Sequence, residues 1–363
     1  MKILGIESSC DETAAAVVED GFRVLSSVVN SQIDIHAQYG GVVPEIAARS
    51  HIEVINPVIR EALTRAQCSW DDIDAIAATY APGLVGSLLV GTLAARTLAI
   101  LRNKPLYAIH HVEAHVYANF ITESNSSALQ LPSKQPEFPL LALIVSGGHT
   151  QLVLFHGHGD YELLGQTQDD AVGEAFDKVA KILGLPYPGG PSIAAAAKHG
   201  DPEKYHLPKA KLDNPYNFSF SGLKTAVLRA VQYAVGKDFT FPSHELSKLI
   251  NDVQRADFAA SFQRVAVETL VERTLRAYSD FAPRSVVIAG GVAANQELRR
   301  QLSVRLPIAI EYAPMQFCTD NAAMIATLGF FHAQCGTPAD PYTLDVIPSL
   351  SMVNTAWNVA KVL

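Results

Sequence analysis

Residues 2–29 read KILGIESSCDETAAAVVEDGFRVLSSVV, and residues 140–167 read LLALIVSGGHTQLVLFHGHGDYELLGQT. Each segment starts as an apolar strand, breaks at a short polar turn, resumes as a second strand and reaches a third after a glycine turn. The copies begin about 140 residues apart, a spacing that indicates duplicated domains and is too long for a solenoid. The sequence therefore predicts two copies of one three-stranded unit, with two unrelated meanders as the alternative.

The rest of the chain alternates between strands and helices. Residues 73–80, IDAIAATY, predict a buried strand, and residues 285–302 predict a strand, a glycine turn and a helix. Such alternation is typical of α/β layers with a mostly parallel sheet. The longest apolar stretch, residues 84–101, contains Arg96 and two glycines, so it predicts a buried helix and not a membrane span.

Composition limits the classes of function. The chain has 363 residues, of which 48% are hydrophobic, enough for two ordinary domains. Its net charge of -8 argues against a broad nucleic-acid surface, so any RNA contact needs a local basic patch or a partner. Two clusters, Lys209 with Lys211 and Arg299 with Arg300 and Arg305, are candidates, although each also fits a solvated face. The four cysteines show no CxxC spacing, and the N-terminus reads as a strand, which predicts a reduced, cytoplasmic protein.

The stretch HHVEAH places His111 and His115 four residues apart. On a helix these positions share one face, so both imidazoles could bind one cation. The glutamate between them, Glu113, does not stand where the zincin motif HExxH has its catalytic base. A lone HxxxH is a weak signal, and a polar helix end is the alternative; a metal site needs a third ligand from elsewhere.

Glycine-rich turns provide candidate anion sites. The Ser146–Gly148 turn follows a strand, and its backbone N–H groups could bind phosphate because side chains do not block them. The matching turn in the first copy offers Ser9 and Thr13, and the two turns would then face one cleft. Ordinary hairpin turns are the alternative for each.

Three further motifs lie later in the chain. Gly290 and Gly291 precede a helix that starts near Asn295, which lets a flat ligand approach the backbone. Gly190, in LPYPGGPS, belongs to a second surface of bare backbone. Asp320 stands at the start of a helix, where an N-cap is the simplest role for it in isolation.

Together these motifs resemble one family. ESSCDET, HVEAH, VSGGHTQL, GEAFDKVAKILGLPYPGGP, FSFSGLKTA, GGVAAN and CTDNAAMIA occur in the order found in the TsaD family of tRNA N6-adenosine threonylcarbamoyltransferases. The resemblance covers nearly the whole chain, and the combination is specific although each motif alone is weak. It implies an α/β fold of two duplicated lobes of the actin-like, sugar-kinase and Hsp70 (ASKHA) type around a nucleotide cleft.

The resemblance also implies boundaries and roles. We expect an N-terminal lobe at 1–110, completed by a helix within 321–345, and a second lobe at 111–320 with a flexible insertion at 122–138. His111, His115 and Asp320 match the ligands of one divalent metal, Fe²⁺ or Zn²⁺. The positions that match the site of the adenylate substrate are Ile144, Val145, Ser146, Gly147, Gly148, Asp177, Gly190 and Asn295.

The implied reaction is transfer of threonylcarbamoyl from threonylcarbamoyl-AMP to the N6 amine of the adenosine 3′ of the anticodon, in tRNAs that read codons starting with A. ATP or ADP could occupy the same adenylate site. Two departures from the family pattern stand out: Ala114 replaces a common glycine, and residues 192–198, SIAAAAK, lack an aspartate that some relatives have there. That contact is therefore in doubt.

The family's partners are tRNA, the homologous subunit TsaB, TsaE, and a TsaC-type synthase that supplies the adenylate; no membrane is involved. Small residues at helical spacing, Gly86, Gly91, Ala94 and Ala95, predict a helix that a second helix could approach closely, with packing against the chain's own sheet as the alternative. Two other classes stay open from the residues alone. A chaperone-like ATPase of the same fold would explain the glycine turns, and a metallopeptidase would explain the histidines.

Overall fold

The structure, a computed structural model, describes residues 1–125, 129–310 and 312–352. The strands are β1 (Lys2–Glu7), β2 (Glu12–Glu19), β3 (Arg23–Ser31), β4 (Ala75–Ala81), β5 (Leu106–His110), β6 (Glu123–Ser124), β7 (Leu140–Val145), β8 (Thr150–Gly157), β9 (Asp160–Gln166) and β10 (Ser285–Ala289). The α-helices are α1 (Ile33–Ala37), α2 (Pro44–Ala66), α3 (Val85–Arg102), α4 (His111–Tyr117), α5 (Val172–Leu183), α6 (Gly189–Ala197), α7 (Ser221–Ala234), α8 (Ser243–Leu246), α9 (Asp252–Phe281), α10 (Gln296–Arg305), α11 (Met315–Cys318) and α12 (Ala322–Cys335).

The two sheets confirm the predicted duplication. The first has the strand order β5-β4-β1-β2-β3-β6, and the second has the order β10-β7-β8-β9. In the first copy β1, β2 and β3 form an antiparallel meander, and β4 pairs parallel to β1. In the second, β10 pairs parallel to β7, the first strand of the second meander. Each copy is therefore a meander extended on the same side by a later strand of the chain.

Helices cover both faces of the first sheet. Leu4 and Ile6 of β1 share a core with α2 and α3, whereas Gly5 faces α12. A Cβ at Gly5 would lie 2.3 Å from the carbonyl oxygen of Ala322, so the helix backbone packs directly against the strand. Because β1 and β2 are buried on both faces, they read as nearly continuous apolar runs.

Helix α3 is the helix, among the described residues, that is long and apolar enough to cross a membrane by length and composition. It packs against α2 and β4, as the predicted buried helix would. Three of its four small residues, Gly86, Gly91 and Ala95, pack against other parts of the same chain, so they do not lie open to a helix of a partner subunit. A Cβ at Gly91 would meet Ser8 Oγ at 2.3 Å, one at Gly86 would meet Ala48 at 2.8 Å, and Ala95 lies in the core.

Contacts divide the chain into two compact units. The first contains Met1–Phe138, Phe155–Tyr161 and the described part of Glu311–Leu363; the second contains Pro139–Leu154 and Glu162–Ile310. This division differs from the expected boundary at residue 110, because α4 packs against α12 within the first unit. Helix α12 belongs to the first unit.

The predicted insertion at 122–138 is partly ordered by the first sheet. Strand β6 lies within it and pairs parallel to β3. Residues 126–128, which are also part of the predicted insertion, lie outside the described residues.

Helices pack against the sheet of the second unit and form part of its core. Helix α9 starts with a capping box, in which Asn251 and Gln254 bond each other's backbone N–H groups, and it runs for 30 residues. It packs against α6, and its Phe262 meets Phe176 of α5 edge to face, with ring centroids 5.0 Å apart. This packing fixes α5 and α6, which carry two of the predicted adenylate residues.

An aromatic cluster behind α4 contains one histidine. The ring of His158 stacks on Phe331 with centroids 3.9 Å apart, and its Nδ1 accepts a hydrogen bond from Tyr117 Oη at 3.1 Å. Phe120 and Phe138 complete the contacts with the His158 ring. Burial among these rings lowers the pKa of His158 from 6.5 to about 4.

His158 should make the protein less stable in mild acid. Between pH 6.5 and 4 the unfolded chain binds a proton at His158 that the native state does not bind, so stability falls as the pH falls. Urea unfolding at pH 7 and pH 5 should show a smaller loss of stability in His158→Phe than in the wild type. The variant also removes the acceptor of the Tyr117 Oη hydrogen bond. The quantity to compare is therefore the change in unfolding free energy between pH 7 and pH 5 in each protein. Equal dependences would contradict this role.

Candidate functional site

Three potential metal ligands meet in the first unit. His111 and His115 lie on one face of α4, as their spacing predicts. Asp320 directly precedes α12, but the cap of that helix is Asn321, whose Oδ1 accepts a hydrogen bond from Met324 N at 3.0 Å. The N-cap role considered for Asp320 is therefore wrong, and its carboxylate faces the two imidazoles.

The distances between the ligand atoms fit a single small cation. His111 Nε2 and His115 Nε2 are 3.2 Å apart, and Asp320 Oδ1 lies 3.2 Å from His115 Nε2 and 3.5 Å from His111 Nε2. Three ligands about 2.1 Å from one ion in tetrahedral geometry are roughly 3.3 Å from one another. The triangle of donor atoms therefore has the dimensions of three corners of a tetrahedron around one ion, with the fourth corner left open.

Glu7 orients one of these ligands from behind. Its Oε2 lies 3.0 Å from His111 Nδ1, and Ser9 Oγ lies 3.1 Å from the same nitrogen. The carboxylate is fully buried, and it accepts further hydrogen bonds from Thr79 Oγ1 at 2.6 Å and Ser9 N at 2.5 Å. With the Nδ1–H donating to Glu7, the lone pair of His111 Nε2 points towards the other ligands, which is how an outer carboxylate supports a metal-bound histidine.

The electrostatics of the cluster also favour a cation. Burial would raise the pKa of Asp320, but His111 and His115 hold it well below its usual range. Burial would lower the pKa of His111, yet the charges of Asp320 and Glu7 raise it well above 6.5. Two imidazole lone pairs only 3.2 Å apart repel each other unless a proton or a metal ion lies between them. The residues present therefore fit a divalent metal.

Two alternative chemistries find no support in this geometry. Glu113 accepts a hydrogen bond from Tyr161 Oη at 3.3 Å, and burial raises its pKa to about 8, so it is not placed as the base of a metallopeptidase. Ser9 and Glu7 both contact the same ring nitrogen of His111. A catalytic triad needs the serine on one ring nitrogen and the acid on the other, so this serine is not an activated nucleophile.

The turn after β1 differs from the prediction. Thr13 is buried, and its Oγ1 lies 2.7 Å from His51 Nδ1, while His51 Nε2 lies 3.0 Å from the carbonyl oxygen of Cys10. Thr13 is therefore committed to internal hydrogen bonds and not to a phosphate, and Ser9 contacts the metal-ligand cluster. The turn supports the metal site.

The sequence reasoning missed Glu7 and Thr79. Both look structural in sequence: Glu7 ends a strand, and Thr79 lies in a buried apolar strand. A charged residue at the end of a fully buried strand was the available signal, since it needs partners inside the protein.

The predicted adenylate residues lie in the second unit. Ile144 and Val145 end β7, and the Ser146–Gly148 turn follows, closed by a hydrogen bond from Ser146 N to His149 O at 2.8 Å. The connection after β10 reaches the same end of the sheet: a Cβ at Gly290, whose φ is +89°, would lie 2.5 Å from Val145 O. The carboxyl ends of adjacent parallel strands are a common place for ligands in α/β proteins.

The remaining predicted residues surround this end of the sheet. Asp177 of α5 accepts a hydrogen bond from Gly189 N at 2.7 Å, which holds the turn that presents Gly190. Asn295 caps α10 by accepting from Leu298 N at 3.0 Å, and its Nδ2 donates to Gln263 Oε1 at 3.0 Å. Burial raises the pKa of Asp177. Asp177 and Asn295 thus have structural roles whatever ligand they contact.

Some of these glycines are not required by packing within the protein. A Cβ added at Gly147, Gly148 or Gly190 would meet no other atom within 4 Å among the described residues, and none of the three has a positive φ. Their lack of a side chain leaves bare backbone facing open space. Such a surface suits a ligand that approaches the main chain.

Removing the histidines should remove the metal. Purified wild type should contain about one divalent ion per chain, and His111→Ala/His115→Ala should contain almost none, because one carboxylate remains. Glu7→Gln should retain the site but bind metal about 10- to 100-fold more weakly, since Glu7 orients a ligand. Elemental analysis and competition with a chelator measure both effects.

The matched control is His206→Ala, which removes an exposed histidine of the second unit. Its metal content should equal that of the wild type, and all variants should keep a native circular dichroism spectrum. Full metal occupancy in the double variant would refute the assignment of the ligands.

Comparison with solved structures identifies the fold. A crystal structure of HypF from T. kodakarensis matches with a TM-score of 0.60 at 13% identity, covering 92% of this chain and 48% of that chain. Full-length HypF in a phosphate- and nucleotide-bound form matches with a TM-score of 0.56, covering 93% of this chain and 47% of that chain. At this identity the likeness shows the fold alone, and it confirms the ASKHA-type fold predicted from the sequence.

Comparison of sequences identifies the family. The TsaD model, described as tRNA N6-adenosine threonylcarbamoyltransferase, matches residues 23–327. A protein of that name from Symbiobacterium thermophilum is 53% identical over 96% of both chains, and one from Thermomicrobium roseum is 52% identical over 97% of both. This chain therefore belongs to the TsaD family, the tRNA N6-adenosine threonylcarbamoyltransferases.

Proposed function

We propose that this enzyme transfers threonylcarbamoyl from threonylcarbamoyl-AMP to the N6 amine of the adenosine 3′ of the anticodon, in tRNAs that read codons starting with A. Membership of the family supports the reaction class. The observation that carries the proposal in the structure is the convergence of His111, His115 and Asp320 with Glu7 behind them. The product is N6-threonylcarbamoyladenosine.

The reaction is an acyl transfer between two bound substrates. A bond forms between N6 and the carbamoyl carbon, the bond from that carbon to the phosphate oxygen breaks, AMP leaves, and N6 loses one proton. An adenine amine is a poor nucleophile, so positioning and stabilisation of developing negative charge must provide most of the rate enhancement. When bound, a divalent ion such as Fe²⁺ or Zn²⁺ would act as a Lewis acid towards substrate oxygens.

His111, His115 and Asp320 would hold that ion, and Glu7 would keep His111 in the required tautomer. The separations of 3.2–3.5 Å between ligand atoms support one ion held by three protein ligands. Three ligands leave coordination positions for substrate, as in other catalytic sites. The physiological choice between Fe²⁺ and Zn²⁺ would follow from metal supply, since imidazole and carboxylate ligands accept both.

The adenylate would lie at the carboxyl ends of β7 and β10. We infer that Ile144, Val145 and the Ser146–Gly148 turn contact its phosphate and ribose through the backbone. The open space beside Gly147 and Gly148 supports this inference. Gly190, in the first turn of α6, and Asn295, the N-cap of α10, would complete the site, since helix N-termini attract anions. ATP or ADP shares the adenylate group and would compete for the same loops.

The two rival functions lose their support. Glu113 accepts a hydrogen bond from Tyr161 and does not stand where a peptidase has its catalytic base. A chaperone-like ATPase of this fold would explain the glycine turns. It would not explain the His-His-Asp cluster or the contact between Glu7 and His111.

Gly147→Val should weaken nucleotide binding without unfolding the protein. The added side chain meets no protein atom at its Cβ but fills the space through which a ligand would reach the backbone. Calorimetric titration with ADP should give a Kd raised at least about 10-fold. Gly157→Val, at a similarly open position at the end of β8, is the control and should bind normally. Unchanged affinity in Gly147→Val would remove this turn from the site.

We further propose that the enzyme works in the cytoplasm with TsaB and TsaE, using adenylate from a TsaC-type synthase. None of the four cysteines forms a disulfide, as expected in a reducing compartment. The surface that supports a partner subunit is the outer face of α3, where Val85, Leu89, Leu93 and Ile100 are exposed. These apolar side chains follow one another along the helix and form a stripe that a second helix could cover.

Reconstituted transfer tests this function. Nucleoside analysis after incubation with tRNA and threonylcarbamoyl-AMP should show little product from the chain alone and multiple turnovers once TsaB and TsaE are added. Leu93→Arg should prevent assembly and reduce product at least about 10-fold, because it places a charge in an apolar contact. Val304→Arg, at an exposed apolar position of the second unit, is the matched control.

The possible failures are distinct. Product at full rate from the chain alone would refute the need for partners. Absence of product in every mixture would refute the proposed reaction. Normal assembly by Leu93→Arg would place the partner elsewhere than on α3.

A further inference from the structure

The second unit contains a surface pocket lined by three lysines, far in sequence from the candidate metal ligands. It has a volume of about 300 Å³ and lies between α5, α7 and α8. Its lining includes the lysines Lys178, Lys181 and Lys224 together with Ile182, Thr225, Leu228, Ser243 and His244, and most of the lining surface is apolar because the lysine stems contribute to it. We call this feature the lysine pocket.

The lysines of this pocket are incompletely neutralised. Lys178 and Lys224 share one partly buried carboxylate, Asp170, at 2.8 and 3.0 Å, and Lys178 also pairs with Glu174 at 2.9 Å. Lys181 is exposed on the last turn of α5, and it forms no ion pair with any residue that the structure describes. Three ammonium groups thus face two carboxylates, beside the hydroxyl of Ser243; the hydroxyl of Thr225 already donates to the carbonyl oxygen of Ser221 at 2.9 Å. This chemistry suits a phosphate group.

A basic and aromatic stripe continues from the pocket along α7. Thr225 lines the pocket, and Arg229 and Tyr233 follow it at intervals of four residues on the same exposed side. The side chain of Tyr233 is 88% exposed and that of Phe239 is 73% exposed. Arg229 lies 5.6 Å from the centre of the Phe239 ring. Exposed rings next to a cation form a surface on which unpaired bases can stack.

The charge of this region is opposite to that of the chain. Residues 221–250 contain four Lys and Arg and two Asp and Glu, whereas the whole chain has 28 and 36. The clusters considered from the sequence are weaker candidates. Lys209 is paired with Glu268 and Glu272, and Arg300 is paired with Glu297. The stripe on α7 is therefore a place where an acidic protein can attract a polyanion.

We propose that the lysine pocket and the α7 stripe bind tRNA, with backbone phosphates at the lysines and unpaired loop bases stacked on Tyr233 and Phe239. The proposal rests on the function proposed above, which makes tRNA the acceptor substrate. Aromatic rings between cations are the surface on which unpaired bases usually stack. An acidic protein partner could pair with the cations, but it has no bases to stack on the rings.

The position of the pocket agrees with this role. Helix α5 carries Asp177, which holds the turn of the proposed adenylate site, and the next residue, Lys178, lines the pocket. RNA bound at the pocket would therefore approach the proposed donor site within the same unit. An acyl transfer requires both substrates to be held close together.

The test uses the complex with its partner subunits and a tRNA transcript that reads codons starting with A. Lys181→Glu/Arg229→Glu should raise the tRNA KM at least about 10-fold and leave the rate at saturating tRNA within about twofold. The slope of log Kd against log salt should fall by about two, one for each phosphate that no longer meets a cation. Lys204→Glu, at an exposed lysine elsewhere in the second unit, should change neither value.

A second variant tests the aromatic part. Tyr233→Ala removes an exposed ring and no core contact, so it should fold normally. It should weaken binding of the tRNA about 10-fold but leave binding of a blunt RNA duplex unchanged, because a duplex has no unpaired bases to stack.

The outcomes separate this inference from the function on which it rests. If the wild-type complex makes no modified nucleoside, the proposed function fails. If the wild type is active and both variants keep its KM and salt slope, the function stands and the tRNA surface is elsewhere. If the variants fail to assemble with the partner subunits in gel filtration, the stripe is a protein interface and the proposal is overturned.

Discussion

The first unit depends on the hydrogen bonds of one buried carboxylate. Glu7 accepts from Thr79 on β4, from the backbone of Ser9 after β1, and from the imidazole of His111 at the start of α4. A buried charge is tolerated only when it has such partners, and each of them lies on a different segment. The same contacts that stabilise the charge fix the direction in which His111 presents its free nitrogen. The fold and the candidate metal site therefore share one constraint.

Much of the fold follows from local patterns. Strand alternation and turn residues were enough to identify both meanders, because buried strands and glycine turns depend mainly on nearby sequence. The pairing of β4 with β1, and of β10 with β7, also agrees with the alternation of strands and helices. The HxxxH spacing located two of the three potential metal ligands, but Asp320 lies about 200 residues later, and only the family resemblance connected it to them.

The features that the sequence did not reveal depend on tertiary contacts. Gly91 and Ala95 gave a sound reason to expect close helix packing, but they could not show which surface would be packed. Gly91 packs against Ser8 and Ile6, Ala95 lies in the core, and the face of α3 left outside is formed by larger residues. Helix α4 raised a similar difficulty, since its place in the first unit follows from its contact with α12, far along the chain.

Helix α12 has a consequence for synthesis. It covers one face of β1 and β2 and lies at residues 322–335, whereas those strands end by residue 19. On the ribosome that face stays uncovered while about 300 further residues are added, which at roughly 5–20 residues per second takes on the order of 15–60 s. During synthesis the first sheet therefore exposes an apolar face until α12 has been made. Cellular factors that shield nascent chains have a long interval in which to act on it.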